Sequence, residues 1–311
     1  MRIGIDLGGT KIEIALLAET GEILFQQRAP TPQGDYPRTL AVVAGLVASA
    51  EQAAGLASRL PLGVGIPGAI SPATGRIQNA NSVCLIGQDL AGDLSALLQR
   101  PVRLANDADC FALSEATDGA GAGAPTVFGV ILGTGVGGGV VVGQQPLSGP
   151  NAIAGEWGHN PLPWPKPDEL PGPPCYCGKR GCIETFLSGP GLALDYELLT
   201  GAHRSPLEIA RLAAAGDHRA ESILARYEDR LARALALVIN ILDPHVVVLG
   251  GGISNLERLY HAIPTLWSAH IFCSQPATRL VRARFGDSSG VRGAAWLWPA
   301  RSILAMGSAC H

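Results

Sequence analysis

Three kinds of residue cluster in this chain have types and spacings suited to chemistry. The first is a glycine tip, Gly4-Ile5-Asp6-Leu7-Gly8-Gly9-Thr10-Lys11, where an apolar run enters a turn and resumes at Ile12. Without a Cβ, Gly8 and Gly9 let backbone N–H groups approach a ligand closely, and successive amides in a tight turn form a concavity for anions. Thr10 adds a hydroxyl and Lys11 a cation, while Asp6 at the mouth of the turn is placed to hold a divalent metal or its water beside a phosphate. An ordinary Gly-rich hairpin has the same composition, so the tip gains meaning from its recurrence. Val127 to Leu132 leads into Gly133-Thr134-Gly135-Val136-Gly137-Gly138-Gly139, and Val140 to Val142 returns. Two such tips would hold a triphosphate from both sides. Gly250-Gly251-Gly252, after the apolar run Val246 to Leu249, offers either bare backbone for a flat ring such as adenine or a tight strand-to-helix turn.

The second cluster is Asn106-Asp107, just beyond the strand-like Val102 to Ala105. A carboxylate at a helix start is kept ionised by the helix dipole and can accept a proton from a bound hydroxyl. Capping the helix is the plainer role for both residue types. The third cluster is His159 with Cys175, Cys177 and Cys182, separated by a stretch holding seven prolines from Pro161 to Pro174. Prolines at that density forbid helix and leave an extended loop. One His and three Cys supply the four tetrahedral ligands of a structural Zn²⁺, the alternative being free buried thiols. A closed site of this kind has no open position for water, so the metal would brace the loop and not catalyse. Glu156 and Glu184 flank these ligands and could hydrogen-bond sugar hydroxyls or lie solvated.

The elements that must position these groups alternate. Strands around the first tip occupy roughly 1–30, Thr39 to Ala54 has helical spacing, and Pro61 to Ile66 is a buried strand ending at Gly65-Ile66-Pro67-Gly68. This alternation predicts a largely parallel sheet, and the recurrence of strand, tip and strand predicts two related domains facing each other across a cleft. Ser205-Pro206-Leu207-Glu208 reads as a capping box opening a helix, and a longer helix runs from Asp217 to Leu242. Gly290 to Trp298 forms a last helix able to pack on the first domain.

Composition narrows the class. The 311 residues are 47 % hydrophobic and 16 % charged with net charge −3, which describes a folded chain and argues against nucleic acid as a partner. No apolar run reaches membrane-spanning length, and Met1-Arg2 enters a strand directly, so a cytoplasmic protein without a leader is expected. Gly133-x-Gly135-x-x-Gly138 formally matches the dinucleotide fingerprint, but the glycines lead into β-like Val140-Val141-Val142 and not into a helix. The Walker pattern and the protein-kinase signatures do not occur in the sequence.

Taken together, Asp6-Leu7-Gly8-Gly9-Thr10-Lys11, Gly133-Thr134-Gly135, Glu156-x-Gly158-His159 and Cys177-Gly178-x-x-Gly181-Cys182-x-Glu184 resemble the ROK family of bacterial sugar kinases. Gly155 to Trp164 and Asp287 to Trp298 look most like its fructokinase (manno-fructokinase) branch. The resemblance implies an α/β, actin-like (ribonuclease H-like) fold of two domains with an interdomain cleft. Residues 1–118 plus a C-terminal helix at about 291–311 would form a small domain, and 119–290 a large one carrying the zinc loop. It implies ATP as donor, Mg²⁺ near Asp6, Zn²⁺ on His159, Cys175, Cys177 and Cys182, and a homodimer. Gly4, Asp6, Gly8, Gly9, Thr10, Lys11, Gly133, Thr134, Gly135, Gly137, Gly251 and Gly252 would hold ATP. Asp107 would be the base, and Gly68, Asn79, Asn81, Asn106, Glu156, His159 and Glu184 would contact the sugar. The expected reaction is phosphorylation of D-fructose at its 6-hydroxyl, with glucose, mannose, N-acetylhexosamines or a non-catalytic sugar sensor as alternatives. Relatives commonly carry a tryptophan where this chain has Cys84. The family's repressors carry a DNA-binding domain ahead of the first motif, which here begins within six residues of Met1.

Overall fold

Strand β1 (Arg2–Leu7) alternates in the way a two-sided strand must. Ile3, Ile5 and Leu7 are buried in one apolar cluster, while Gly4 and Asp6 point to the other face. The computed structural model of the chain describes residues 1–55, 59–80 and 82–298; Asn81 and the tail after Ala300 lie outside them. The chain divides into two units, the first comprising Met1–Ala122, Gln144–Ala154 and the C-terminal segment from Asp287.

In the first unit, β1 pairs antiparallel with β2 (Lys11–Leu17), which pairs antiparallel with β3 (Ile23–Pro30). On its other edge β1 pairs parallel with β4 (Leu62–Ile66), and β4 pairs parallel with β7 (Val102–Asn106). The largely parallel sheet expected from the sequence is therefore mixed, because the glycine tip closes β1 and β2 as a hairpin and a hairpin is antiparallel. Helices α1 (Tyr36–Ala54) and α2 (Leu90–Leu98) belong to one face, and their buried Val43, Leu46, Val47, Leu90 and Leu94 join the β1, β2 and β4 cluster. A short hairpin, β5 (Ala69–Ile70) with β6 (Ile77–Gln78), follows β4. The opposite face holds α3 (Asp107–Thr117) and α9 (Ser289–Trp296), with the short β10 (Gln145–Pro146) beside α3. Helix α9 lies directly on the sheet backbone, because side chains at Gly4 or Gly63 would overlap the carbonyls of Val291 or Ala294. Its C-terminal end is clamped by two arginines: Arg2 Nε donates to the Trp298 carbonyl at 3.1 Å and Arg103 to that of Leu297 at 2.8 Å.

The second unit comprises Gly123–Gly143 and Gly155–Gly286. Here β8 (Thr126–Leu132) pairs antiparallel with β9 (Val136–Val142) and parallel with β11 (Val246–Gly250), which pairs parallel with β12 (Arg279–Arg282). The order β9-β8-β11-β12 repeats β2-β1-β4-β7 in both neighbours and sense, so the internal repeat seen in the sequence is a repeat of topology. Helices α4 (Ile183–Leu187), α5 (Gly189–Thr200), α6 (Pro206–Ala214), α7 (His218–Leu242) and α8 (Leu259–Trp267) cover this sheet through one apolar cluster. The capping box at Ser205 and Glu208 forms as its sequence specifies. Among the described residues no helix is long and apolar enough to cross a membrane.

Candidate functional site

In the first unit the glycine tip is short, running over Gly8 to Thr10 between β1 and β2. Gly8 N–H donates to the Lys11 carbonyl at 2.9 Å, and Thr31 braces the turn twice. Its N–H donates to the Thr10 carbonyl at 3.0 Å and its hydroxyl to the Gly8 carbonyl at 2.7 Å. Gly9 and Thr10 remain exposed. Lys11 belongs to β2, with Nζ 3.6 Å from a carboxylate oxygen of Glu13. Glu13 is fully buried and also takes Arg28 Nε at 2.9 Å; nothing in a strand of alternating residues singled it out beforehand.

Asp107 stands exposed at the first position of α3, where the Ala108 N–H donates to its Oδ1 at 2.9 Å. Asn106 is the cap: its Oδ1 accepts from the Ala108 N–H at 2.8 Å, and its amide donates to the Gly68 carbonyl at 2.9 Å. One side chain thus ties the turn after β4 to the helix that presents Asp107, a consequence of Ile66 and Asn106 being register partners. Asn79, with φ of 55°, is exposed on the neighbouring loop. Asp6, at the end of β1, is held close to Asp107 and Glu13. Burial first, then these two carboxylates, push its pKa up to about 6. The position beside Asp6 is the α9 start, where Gly290 supplies no side chain. Such a concentration of negative charge suits a divalent cation beside Asp6.

This shift has a consequence for stability. Below about pH 4 Asp6 is protonated in both folded and unfolded chains and contributes nothing. As pH rises through 4 to 6 the unfolded chain releases the proton first, so stability falls, by about 3 kcal/mol at 1.36 kcal/mol per pKa unit. Asp6→Asn, which keeps the neutral form, is expected to unfold at higher urea than the parent at pH 7.5 in metal-free buffer. The two should coincide near pH 3.5. Equal midpoints at pH 7.5 would show that Asp6 carries no such cost.

In the second unit the second tip is also shorter than its glycines suggested. Only Gly133 to Gly135 turn, and Gly137 to Gly139 are inside β9. Their glycine character serves packing: a Cβ on Gly138 would come within 2.8 Å of the Gly155 carbonyl, so two backbones meet there. The Gly137 carbonyl accepts the Trp157 indole N–H at 3.0 Å. After β11, a helical turn at Gly252–Asn255 precedes α8. A Cβ on Gly251 would overlap the Leu132 carbonyl, whereas one on Gly252 would meet nothing within 4 Å.

The two carboxylates expected near a sugar differ in setting. Glu156 is exposed. Glu184, from the first turn of α4, reaches back 48 positions and accepts the Val136 N–H at 2.9 Å, clamping the second tip. Gly158 rests against the Val136 carbonyl from the other side, where a side chain would not fit. His159 and Glu184 are thereby anchored to the same residue of the tip.

His159, Cys175, Cys177 and Cys182 come together, their ligand atoms all within 4.8 Å of one another. Cys175 Sγ lies 3.5 Å from His159 Nδ1, and Cys177 Sγ lies 3.6 Å from Cys182 Sγ. Thiolate–metal bonds of about 2.3 Å in a tetrahedron give ligand–ligand edges of roughly 3.7 Å, so three thiols and an imidazole fit a soft tetrahedral cation here. The outer nitrogen, Nε2, faces the Tyr176 hydroxyl at 2.8 Å. Partial desolvation, then the nearby Glu184, pushes that phenol up to about 12. The hairpin that brings Cys182 round turns at Gly178 and closes with a Pro174–Arg180 bridge. The proline stretch ahead of it is held by a lock that the sequence reading missed. Buried Glu169 accepts from Arg230 Nε at 2.9 Å and from Arg233 at 2.7 Å, and Arg233 also donates to the Pro163 and Trp164 carbonyls. The available signal was Arg230 and Arg233, three apart on α7 and at helical spacing from the apolar Tyr227 and Ala234.

Comparison with known proteins adds what geometry leaves open. A profile of the ROK family matches residues 2–301. The chain is 43 % identical over 301 residues to an N-acetyl-D-glucosamine kinase of Yersinia pseudotuberculosis serotype O:1b (strain IP 31758), covering 96 % of this chain and 98 % of that one. Among solved structures it resembles the ROK hexokinase from Thermus thermophilus, with a TM-score of 0.84, 32 % identity and 99 % of each chain covered. It also resembles a ROK family glucokinase from Streptomyces griseus in complex with glucose and AMPPNP, with a TM-score of 0.75, 26 % identity and coverage of 94 % and 97 %. The fructokinase assignment from sequence is therefore corrected, since a full-length relative at this identity is named for an N-acetylated hexosamine. The motifs that suggested a kinase carry residue types suited to phosphate, a base and a metal, and those types do not distinguish one sugar from another.

Proposed function

We propose, from the premise that this chain belongs to the ROK family of actin-like sugar kinases, that it transfers the γ-phosphate of ATP to the 6-hydroxyl of an N-acetylated hexosamine, N-acetyl-D-glucosamine foremost. The observation that carries the sugar is the 43 % identity to an N-acetyl-D-glucosamine kinase across nearly the whole of both chains.

In this reading Asp107 takes the proton of the 6-hydroxyl as that oxygen attacks phosphorus in line with the departing ADP oxygen. Asn106 keeps α3 and the Gly68 turn in register, so the carboxylate meets the hydroxyl without a search. The exposed amides of Gly9 and Thr10, and those of the Gly133 to Gly135 turn, neutralise charge on the phosphates. Gly252 leaves room for a flat base. Mg²⁺ held beside Asp6 supplies further charge neutralisation when bound. Glu156 and Glu184 accept from sugar hydroxyls, and His159 serves the sugar through the Tyr176 hydroxyl that meets its Nε2. His159, Cys175, Cys177 and Cys182 would hold Zn²⁺, which would brace the loop and take no part in the chemistry.

An ADP-release assay with Mg-ATP across N-acetylglucosamine, N-acetylmannosamine, glucose, mannose and fructose tests this directly. N-Acetylglucosamine should be favoured over glucose by at least roughly 10- to 200-fold in kcat/KM, the range that one methylene in an apolar pocket already supplies. Best turnover with glucose would overturn the acetamido assignment and keep the kinase. No turnover with any sugar would overturn both.

A further inference from the structure

Tyr176 occupies an unusual place in the second unit. It sits between two of the four clustered ligand residues, Cys175 and Cys177, so its backbone is fixed by that cluster, yet its residue surface is 80 % exposed. Its ring stands edge-on to His159 at 5.0 Å and its hydroxyl meets His159 Nε2 at 2.8 Å. A neutral imidazole carries one N–H. When Nδ1, which faces Cys175, serves as a metal ligand, the proton resides on Nε2 and donates to the phenol oxygen. The phenol O–H is then left to donate outward. Glu184 and Glu156 lie near enough to bear on Tyr176 electrostatically, and as carboxylates they only accept. This side of the unit therefore offers acceptors for sugar hydroxyls and one neutral, outward donor.

We infer that Tyr176 is a specificity-determining residue of the sugar site, its hydroxyl donating to the acetamido carbonyl of an N-acetylated hexose. The inference rests on the acetamido reading of the substrate and names the residue that enforces it. A carbonyl oxygen accepts only, so it needs a donor that Glu156 and Glu184 do not provide. A plain hexose puts a hydroxyl at that carbon, which sits nearer the ring and does not reach as far as a carbonyl. A neutral donor also selects the amide without attracting anions that a lysine or arginine would draw in.

Tyr176→Phe keeps the ring and removes the donor. The comparison is kcat/KM for N-acetylglucosamine and for glucose, calorimetric Kd for each sugar, and bound metal per chain. Loss of one neutral hydrogen bond is worth roughly 3- to 10-fold. The expected result is that loss for N-acetylglucosamine alone, in Kd and through KM more than kcat, with glucose and metal content unchanged. If the wild-type protein prefers N-acetylglucosamine but the variant loses both sugars equally, Tyr176 only orients His159 and the inference is overturned. No change for either sugar overturns it as well. A wild-type protein that does not bind N-acetylglucosamine removes the acetamido reading itself, and with it this role for Tyr176.

Discussion

Asp107→Asn is expected to lower kcat for sugar phosphorylation by roughly 10²- to 10⁴-fold, the usual size of a general-base contribution, while sugar Kd changes little. The substitution is close to isosteric, and an asparagine oxygen can still accept the Ala108 N–H that Asp107 Oδ1 takes at 2.9 Å. The cap itself is Asn106, which the substitution leaves in place, so α3 keeps its start. What disappears is a group able to take up a proton. A second effect works in the same direction on stability: Asp107 is one of the charges raising the Asp6 pKa, so its neutralisation relieves repulsion within the first unit. The variant should therefore be no less stable than the parent. Rapid-quench measurement of the chemical step, beside calorimetric sugar binding, separates the base from a positioning role. Near-parental turnover with normal sugar affinity would show that Asp107 is not the base.

Cys177→Ser should abolish both bound metal and sugar phosphorylation. Metal analysis of the parent is expected to find about one Zn²⁺ per chain, and the variant close to none. Removing a ligand should exceed the roughly 10- to 100-fold effect of losing an outer-shell partner. The reason lies in the loop: from Asn160 to Pro174 it is proline-rich, and the Cys/His cluster joins His159 at its start to the cysteine hairpin at its end. Loosening the cluster frees His159, and through Cys182, which caps α4, it displaces Glu184 from the Val136 N–H. Cys273→Ser, at an exposed thiol outside the cluster, is the control and should keep both metal and activity. A well-folded parent without zinc, or a Cys177→Ser protein with full activity, would remove the metal from this account.

Features set by neighbours along the chain were legible in advance. The tip at Gly8 to Thr10, the cap-and-carboxylate pair Asn106-Asp107, the Ser205–Glu208 capping box and the Cys175–Cys182 spacing all depend on residues a few positions apart, whose geometry the backbone constrains almost by itself. The repeated strand-tip-strand pattern likewise announced two sheets of one topology. Other features required chain segments far apart in sequence to be packed together. Glu184 on the Val136 N–H, Asn106 on the Gly68 carbonyl, Gly290 beside Asp6 and Glu169 between two α7 arginines span from 38 to 284 positions of sequence. Gly138 and Gly139 read from the sequence as part of a glycine turn, but they lie in β9 with the Gly155 backbone against them. A glycine tip, a cap-and-carboxylate pair and a Cys/His spacing were readable from the sequence, because each needs only a short run of the right atoms. Which distant side chains and backbones meet was set by packing, because those segments come together only when the sheets and helices pack.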